Sequence, residues 1–268
     1  MSCRIRDVSY AHKISHLGHI YKKRGSKMTF KEKFKMGLAD IGKDNKIKNI
    51  AILRMLENIG SYHSDVAGYG SNDIPIKKLT WILLDWKLKV LNRPKYGQTL
   101  EVHTWARVGN RFFTYRDYEI YDENKNLCAI ATSKWTLVNI EEGKMSKITE
   151  EVISSYNVEE KEVFPGENLD RLQIPEEFIS SIKYTVIRKD IDINKHMHNL
   201  YFLDLAYEAL PEDVYNNDRP FDNVRIMYKK EIKLGDTVIC KYTKKDNKNI
   251  VIIQSEDEKN LHAIIELE

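Results

Sequence analysis

The chain is poor in glycine and proline. It has 12 Gly and 6 Pro in 268 residues, below the usual shares of about 7% and 5%. Collagen-like and low-complexity disordered chains are therefore excluded. Cysteine is scarce as well. Cys3, Cys128 and Cys240 form no CxxC pair and have no metal-ligand spacing. Two of them fall in apolar strand-like runs, which points to reduced structural thiols in a cytoplasmic protein. No apolar run approaches the ~18 residues of a membrane span. A charge excess is missing too: 43 Lys and Arg face 40 Asp and Glu, so the balance suggests no nucleic-acid partner. The sequence also lacks GxSxG, GxxxxGK[ST], GxGxxG and HExxH patterns. Serine-hydrolase, P-loop, Rossmann and zincin chemistry lose their usual signatures.

What is present is a 42% hydrophobic fraction, enough for one large domain or two of roughly 100–150 residues. The charge is unevenly spread. Residues 1–27 hold seven Lys or Arg against one acid, Asp7, which leaves 36 basic and 39 acidic residues in 28–268. The first 27 residues read as a basic extension with no apolar core of a secretory signal. His12, His16 and His19 would share a helical face and could hold a metal, or belong to a solvated tail. Met28 opens a new pattern and is a candidate natural start.

From residue 28 the chain reads as one unit given twice. The first unit opens with a strand at Thr29–Met36, whose apolar and charged residues alternate. A nearly all-apolar segment, Asn49–Tyr62, then predicts a buried helix. Strands follow at Leu79–Leu91, Thr99–Val108, Phe112–Tyr121 and Cys128–Val138, separated by turn-like residues. Residues 141–176 lose the alternation and read as a linker with a short helix at Thr149–Tyr156. The second unit repeats the order: strand Lys183–Arg188, helix Asn199–Leu210 stopped by Pro211, then strands Val224–Ile232, Thr237–Tyr242, Ile250–Gln254 and His262–Leu267. RPKYGQTLEV (93–102) lies over EIKLGDTVIC (231–240), with Gly97 on Gly235. DNKIKN (44–49) lies over INKHMHN (193–199) only with a one-residue gap, which sets Ile47 on His196. A buried helix followed by long antiparallel strands suggests a helix wrapped by a curved sheet. Joining two such sheets edge to edge would remove two open edges.

The densest polar chemistry is Asp192-Ile193-Asn194-Lys195-His196-Met197-His198-Asn199, directly before an apolar helix. The first N–H groups of a helix lack internal partners and carry the positive end of its dipole. They could stabilise an oxyanion, with Asn and His to orient a substrate or water and a carboxylate to accept a proton. The same Asp and Asn residues would also serve as turn and cap residues. His196 and His198 as a metal pair lack accompanying ligands at matched spacing.

These residues resemble the acyl-acyl-carrier-protein thioesterase family, the plant plastid enzymes and their bacterial relatives. The family motif Asp-x-Asn-x-His-x-Asn-Asn reads here Asp192-x-Asn194-x-His196-x-His198-Asn199. A second motif, Tyr-Arg-Arg-Glu-Cys, reads Tyr228-Lys229-Lys230-Glu231-Ile232. Thr104-Trp105 and Ser133-x-Trp135 resemble the family's Trp-rich strands, and the resemblance covers about residues 28–268. It implies an α+β tandem hot-dog: two helix-wrapped antiparallel sheets joined into one. The divisions are a basic extension at 1–27, an N-terminal hot-dog with the acyl pocket at 28–140, a linker at 141–176 and a catalytic C-terminal hot-dog at 177–268.

The implied reaction is hydrolysis of the thioester between a fatty acyl chain and the phosphopantetheine arm of acyl carrier protein. No cofactor and no metal are implied. Asp192, Asn194, His196 and Glu231 match the family's catalytic positions. Ile232 stands where plant members have Cys, so a thiol nucleophile is unavailable there. His198 replaces the first Asn of the pair. The expected mechanism has Glu231 activate water, His196 and Asn194 orient water and substrate, Asp192 hold them, and the 199–210 helix N-terminus stabilise the oxyanion. Arg93 replaces Glu231 in the first half, whose helix residues Ile52 and Met55 would line an acyl pocket or simply pack a core. Lys87, Lys89, Arg93, Lys95, Lys229, Lys230 and Lys233 could dock an acidic carrier or be a solvated face. The expected partner is acyl carrier protein, with no nucleic acid and no membrane span, for a monomer or homodimer. Alternatives are an acyl-CoA thioesterase, a hot-dog dehydratase, and a binding module without turnover.

Overall fold

The computed structural model describes residues 29–217 and 220–268. The expectations for the basic extension, including His12, His16, His19 and Cys3, lie outside them. In chain order the first half comprises β1 (Phe30–Lys35), α1 (Asn49–Ala67), the one-turn α2 (Ile74–Lys77), β2 (Leu79–Val90), β3 (Thr99–Arg107), β4 (Thr114–Tyr121) and β5 (Leu127–Asn139). Then come β6 (Lys144–Ser146) and α3 (Glu150–Ser155). The second half has β7 (Ser180–Thr185), α4 (Tyr201–Glu208), α5 (Glu212–Asn217), β8 (Asn223–Tyr228), β9 (Thr237–Lys245), β10 (Lys248–Ser255) and β11 (Leu261–Leu267).

The eleven strands of the described residues belong to one antiparallel sheet in the order β1-β3-β4-β5-β2-β8-β11-β10-β9-β7, with β6 on β5. The halves join at β2 and β8, where Trp86 pairs with Ile226 and Leu88 with Val224. All four side chains are buried. Arg225 crosses the seam to Asp85 at 2.7 Å. The expected edge-to-edge joining is therefore present. Both long helices and one face of both half-sheets share a single core. No helix among the described residues is long and apolar enough to cross a membrane.

The duplication extends to backbone detail. Gly97 and Gly235 take φ of 80° and 84°, the left-handed region that glycine enters without steric cost. Ile41 bridges Ile47 as Ile191 bridges Met197, and Lys46 bridges Lys95 as His196 bridges Lys233. Asn45 and Lys195 sit at φ 60° and 64°. These pairs align 40–49 with 190–199 without a gap. Lys46, not Ile47, is the counterpart of His196, which corrects the sequence alignment by one residue.

Several boundaries differ from expectation. Helix α1 continues past Tyr62 to Ala67 because His63 behaves as a core aromatic. Its ring stacks on Phe30 at 5.2 Å and receives Arg116 Nη1–H at 2.9 Å on Nδ1. Burial, assisted by the Arg116 charge, pushes its pKa down to about 2. Gly68, at φ 75°, ends the helix. Residues 144–156, read as linker, belong to the first half: β6 pairs β5, and Val152 and Tyr156 pack against Ala106 and Leu137. Residues 159–163 also bond to the first half, at Ala106, Trp105 and Asp117, and farther on Leu172 and Phe178 cover Met227, Ile252 and Ile264 of the second half.

Candidate functional site

Asp192 shapes the loop ahead of α4. Its Oδ1 accepts the backbone N–H of Asn194 at 2.8 Å and of His196 at 3.3 Å. Its Oδ2 accepts from Asn194 Nδ2 at 3.3 Å. Such side-chain-to-backbone bonding is how Asp stabilises a tight turn. The loop is anchored from both sides. Met197 N–H donates to the Ile232 carbonyl and His198 N–H to the Asp190 carbonyl, each at 2.8 Å. Asp190 is buried, and its carboxylate accepts Tyr184 Oη–H at 2.7 Å and Ile187 N–H at 2.9 Å.

Glu231 is not on a strand, contrary to the expected Val224–Ile232 element. Strand β8 ends at Tyr228, and Lys229 and Lys230 N–H both turn to the His262 carbonyl, at 2.8 and 3.4 Å. The chain then leaves β11 and pairs with the Asp192–Asn199 loop through His196 and Lys233. This diversion sets Glu231 beside the motif. Ile232 is fully buried while Glu231 is exposed, so the two point oppositely as expected.

Asp192, Asn194, His196 and Glu231 all line one cavity of about 840 Å³. Among the described residues the His196 ring and the Glu231 carboxylate take part in no hydrogen bond or ion pair. From the mouth the cavity runs along α1, past Glu57, Gly60 and Ser64. It continues between the sheet and α3, where Trp81, Trp135, Ile148, Val152 and Ile153 form an apolar wall. Tyr156 closes this region, donating to Ser64 Oγ at 3.0 Å and accepting Trp81 Nε1–H at 2.8 Å. Ile52 and Met55 are absent from the wall and sit in the main core. The apolar stripe of α1 points there, and its less apolar side faces the cavity.

The α4 N-terminus differs from the open donor end expected. The helix starts at Tyr201, after a turn at Asn199 and Leu200. N–H groups of Tyr201, Phe202 and Leu203 already donate to the carbonyls of His198, Asn199 and Leu200. Leu200 N–H donates to His198 Nδ1 at 3.2 Å. The Asn199 N–H has no such partner among the described residues and lies at the cavity. No three His, Cys, Asp or Glu side chains among the described residues gather as a metal site would need.

The equivalent place in the first half is filled. Arg93, at the position of Glu231, donates to Ile47 O at 2.9 Å, Asn49 Oδ1 at 2.8 Å and Asp222 Oδ1 at 2.7 Å. Its side chain is only 7% exposed, so it is no part of a docking surface. Lys46 stands for His196, Asp44 for Asn194 and Gly42 for Asp192. Neither a carboxylate nor an imidazole stands at these two places in the first half.

A family model described as the acyl-ACP thioesterase N-terminal domain matches residues 27–156, and one described as its C-terminal domain matches 172–267. The chain belongs to the acyl-ACP thioesterase family. The N-terminal match ends with α3, in line with the packing of that helix on the first half. Oleoyl-acyl carrier protein thioesterase 1, chloroplastic, of Arabidopsis thaliana is 23% identical over 79% of this chain and 62% of its own length. Dodecanoyl-[acyl-carrier-protein] hydrolase, chloroplastic, of Cinnamomum camphora is 22% identical over 81% and 59%. The chain thus spans 59–62% of these curated relatives.

Two solved structures share the fold. An acyl-ACP thioesterase from Bacteroides thetaiotaomicron aligns with a TM-score of 0.79 at 18% identity, covering 89% of this chain and 96% of the other. The 12:0-ACP thioesterase from Umbellularia californica aligns at 0.80 and 17%, covering 90% and 96%. The tandem hot-dog implied by the sequence is the fold of this acyl-ACP thioesterase family member. The apolar wall and one charged residue of the cavity are not singled out by the sequence. Glu57 is an acid in the middle of the apolar segment NIAILRMLENIG, and that isolation was the available signal.

Proposed function

We propose that this chain hydrolyses the thioester of a fatty acyl-acyl carrier protein, releasing free fatty acid and ending chain elongation. The observation that carries the reading is the single cavity lined by Asp192, Asn194, His196 and Glu231, with an apolar wall beyond them. Glu231 takes a proton from water, and the hydroxide attacks the thioester carbonyl. Charge develops on the carbonyl oxygen, where donors aligned in advance contribute most. Asn194 Nδ2 and the Asn199 N–H serve that purpose in place of the occupied helix N-terminus. The C–S bond then breaks, its electron pair goes to sulfur, and the Glu231 proton passes to the leaving thiolate. His196 orients water and carbonyl.

The first half supplies the acyl pocket through its apolar wall. A bulkier Ile153→Trp would shorten the cavity at that end. The released fatty acids should become shorter by several carbons, read by chromatography of the products. An unchanged profile would remove Ile153 from the acyl path.

Lys229 and Lys230 line the cavity mouth, and we propose that they meet the acidic carrier. A carrier-linked substrate should show a KM that rises with salt, whereas a small thioester should not. Equal KM values for carrier-linked and CoA-linked acyl groups would favour the acyl-CoA alternative. Cys128 and Cys240 are buried free thiols, which supports a reducing compartment such as the cytoplasm.

A further inference from the structure

Glu57 is a carboxylate without an obvious structural purpose. It sits on α1 of the first half, yet it faces the catalytic loop of the second. Its Oε2 lies 3.5 Å from His198 Nε2, and both side chains line the cavity. The Glu57 side chain is 20% exposed. Burial pushes its carboxyl up, the His198 ring opposes that shift, and Asp192 adds to it. A carboxylate in such surroundings costs stability unless it is matched.

The ring is oriented for this contact. Leu200 N–H donates to His198 Nδ1, so a neutral ring carries its proton on Nε2, the atom facing Glu57. The ring also meets Tyr201 edge-on at 5.8 Å. His198 is therefore held at three places, one of them supplied by the other half.

The duplication offers an internal control. The offset that pairs Asp40 with Asp190 and Lys46 with His196 pairs Glu57 with Tyr207. The burial patterns of 52–60 and 202–210 agree at every pair but Arg54 and Asp204. Tyr207 reaches across in the same way, accepting Asn49 Nδ2–H at 2.9 Å. The first-half loop, which has Lys46 and Arg93 at the places of His196 and Glu231, is thus met by Tyr207 and not by a carboxylate, and Lys48 stands there at the place of His198. Glu57 and His198 occur together with the chemical set and are absent together with it.

We infer that Glu57 is a positioning residue: from the first half it holds the His198 ring and so fixes the loop that presents Asn194 and His196 to the substrate. The inference rests on the proposed thioester hydrolysis. It also gives His198, the departure from the family's Asn-Asn pair, a defined partner.

The test is a double-mutant cycle in the full chain, with Glu57→Gln, His198→Gln and the double variant assayed for thiol release from acyl carrier protein. Glu57→Gln should lower kcat about 10- to 100-fold, the scale of a misplaced reacting group, with KM within about twofold. The double variant should be no worse than the poorer single, because coupled residues are not additive. Tm should hold or rise, since a buried charge is removed. Wild-type kcat in Glu57→Gln, losses that multiply in the double variant, or a kcat loss that tracks a falling Tm would each overturn the inference. Should Glu57→Gln fail to fold, Glu57→Asp carries the same comparison. A wild-type chain that releases no thiol would instead defeat the proposed function. The imidazole ¹⁵N spectrum then decides: a His198 signal that moves on Glu57→Gln supports the contact, and an unmoved signal overturns it.

Discussion

Replacing Glu231 by Gln is expected to lower kcat on an acyl-carrier thioester by about 100- to 10,000-fold, the usual scale for a lost general base. Gln keeps the shape and a hydrogen-bonding carbonyl but cannot take a proton from water. KM should move little, because the group acts in the transition state rather than in ground-state binding. Glu231 is exposed in a loop, so the substitution disturbs no core. Its backbone neighbours stay pinned, with Met197 bonded to Ile232 and Lys233 to Asp236 Oδ2 at 2.9 Å. A raised KM at unchanged kcat would instead make Glu231 a binding residue beside Lys229 and Lys230. Near-wild-type turnover would remove it from the chemistry.

The second large effect is at His196. His196→Ala should reduce kcat about 100- to 1,000-fold, comparable to losing one electrostatic donor of an active site. The loop survives the change because His196 joins it only through its own backbone: Asp192 N–H to His196 O at 2.9 Å, and His196 N–H to Asp192 Oδ1. Only the half-buried ring facing the cavity is lost. Lys46→Ala, at the equivalent place of the first half, should leave turnover unchanged. Near-wild-type activity in His196→Ala would sink the assignment of the ring, and a matching loss in Lys46→Ala would show that the halves do not divide labour as described.

Much of the fold was legible from periodicity. Strands such as β3 declared themselves by alternation, strands buried on both faces such as β10 by a short apolar run between turn residues, and both helices because the chain between strands turned apolar. The pairing of Gly97 with Gly235 was legible because a left-handed turn selects glycine. The gapped alignment of the two loops failed for a physical reason. Equivalence there lies in backbone bridges and positive φ, as at Asn45 and Lys195, not in residue identity.

The candidate site was legible only in part. Asp192, Asn194 and His196 lie within five residues, and one loop necessarily brings them together. Glu231 came from motif resemblance, and its release from the strand depends on Lys229 and Lys230 both turning to His262, a tertiary event. Ile52 and Met55 looked like pocket residues because apolar periodicity marks a buried face without saying whether core or cavity lies opposite. Arg93 looked like a surface cation, yet it is buried by partners more than 120 residues away along the chain. Glu57 was missed because its partner, His198, belongs to the other half.

One live site in a duplicated fold is proposed to hydrolyse an acyl-carrier thioester. The most direct measurement is the amount of free thiol and free fatty acid released from acyl-acyl carrier protein by the full chain. Equal amounts of the two, formed over many turnovers and abolished by Glu231→Gln, are the predicted result. Absence of thiol, with the acyl group still attached to the carrier, would contradict hydrolysis at this site.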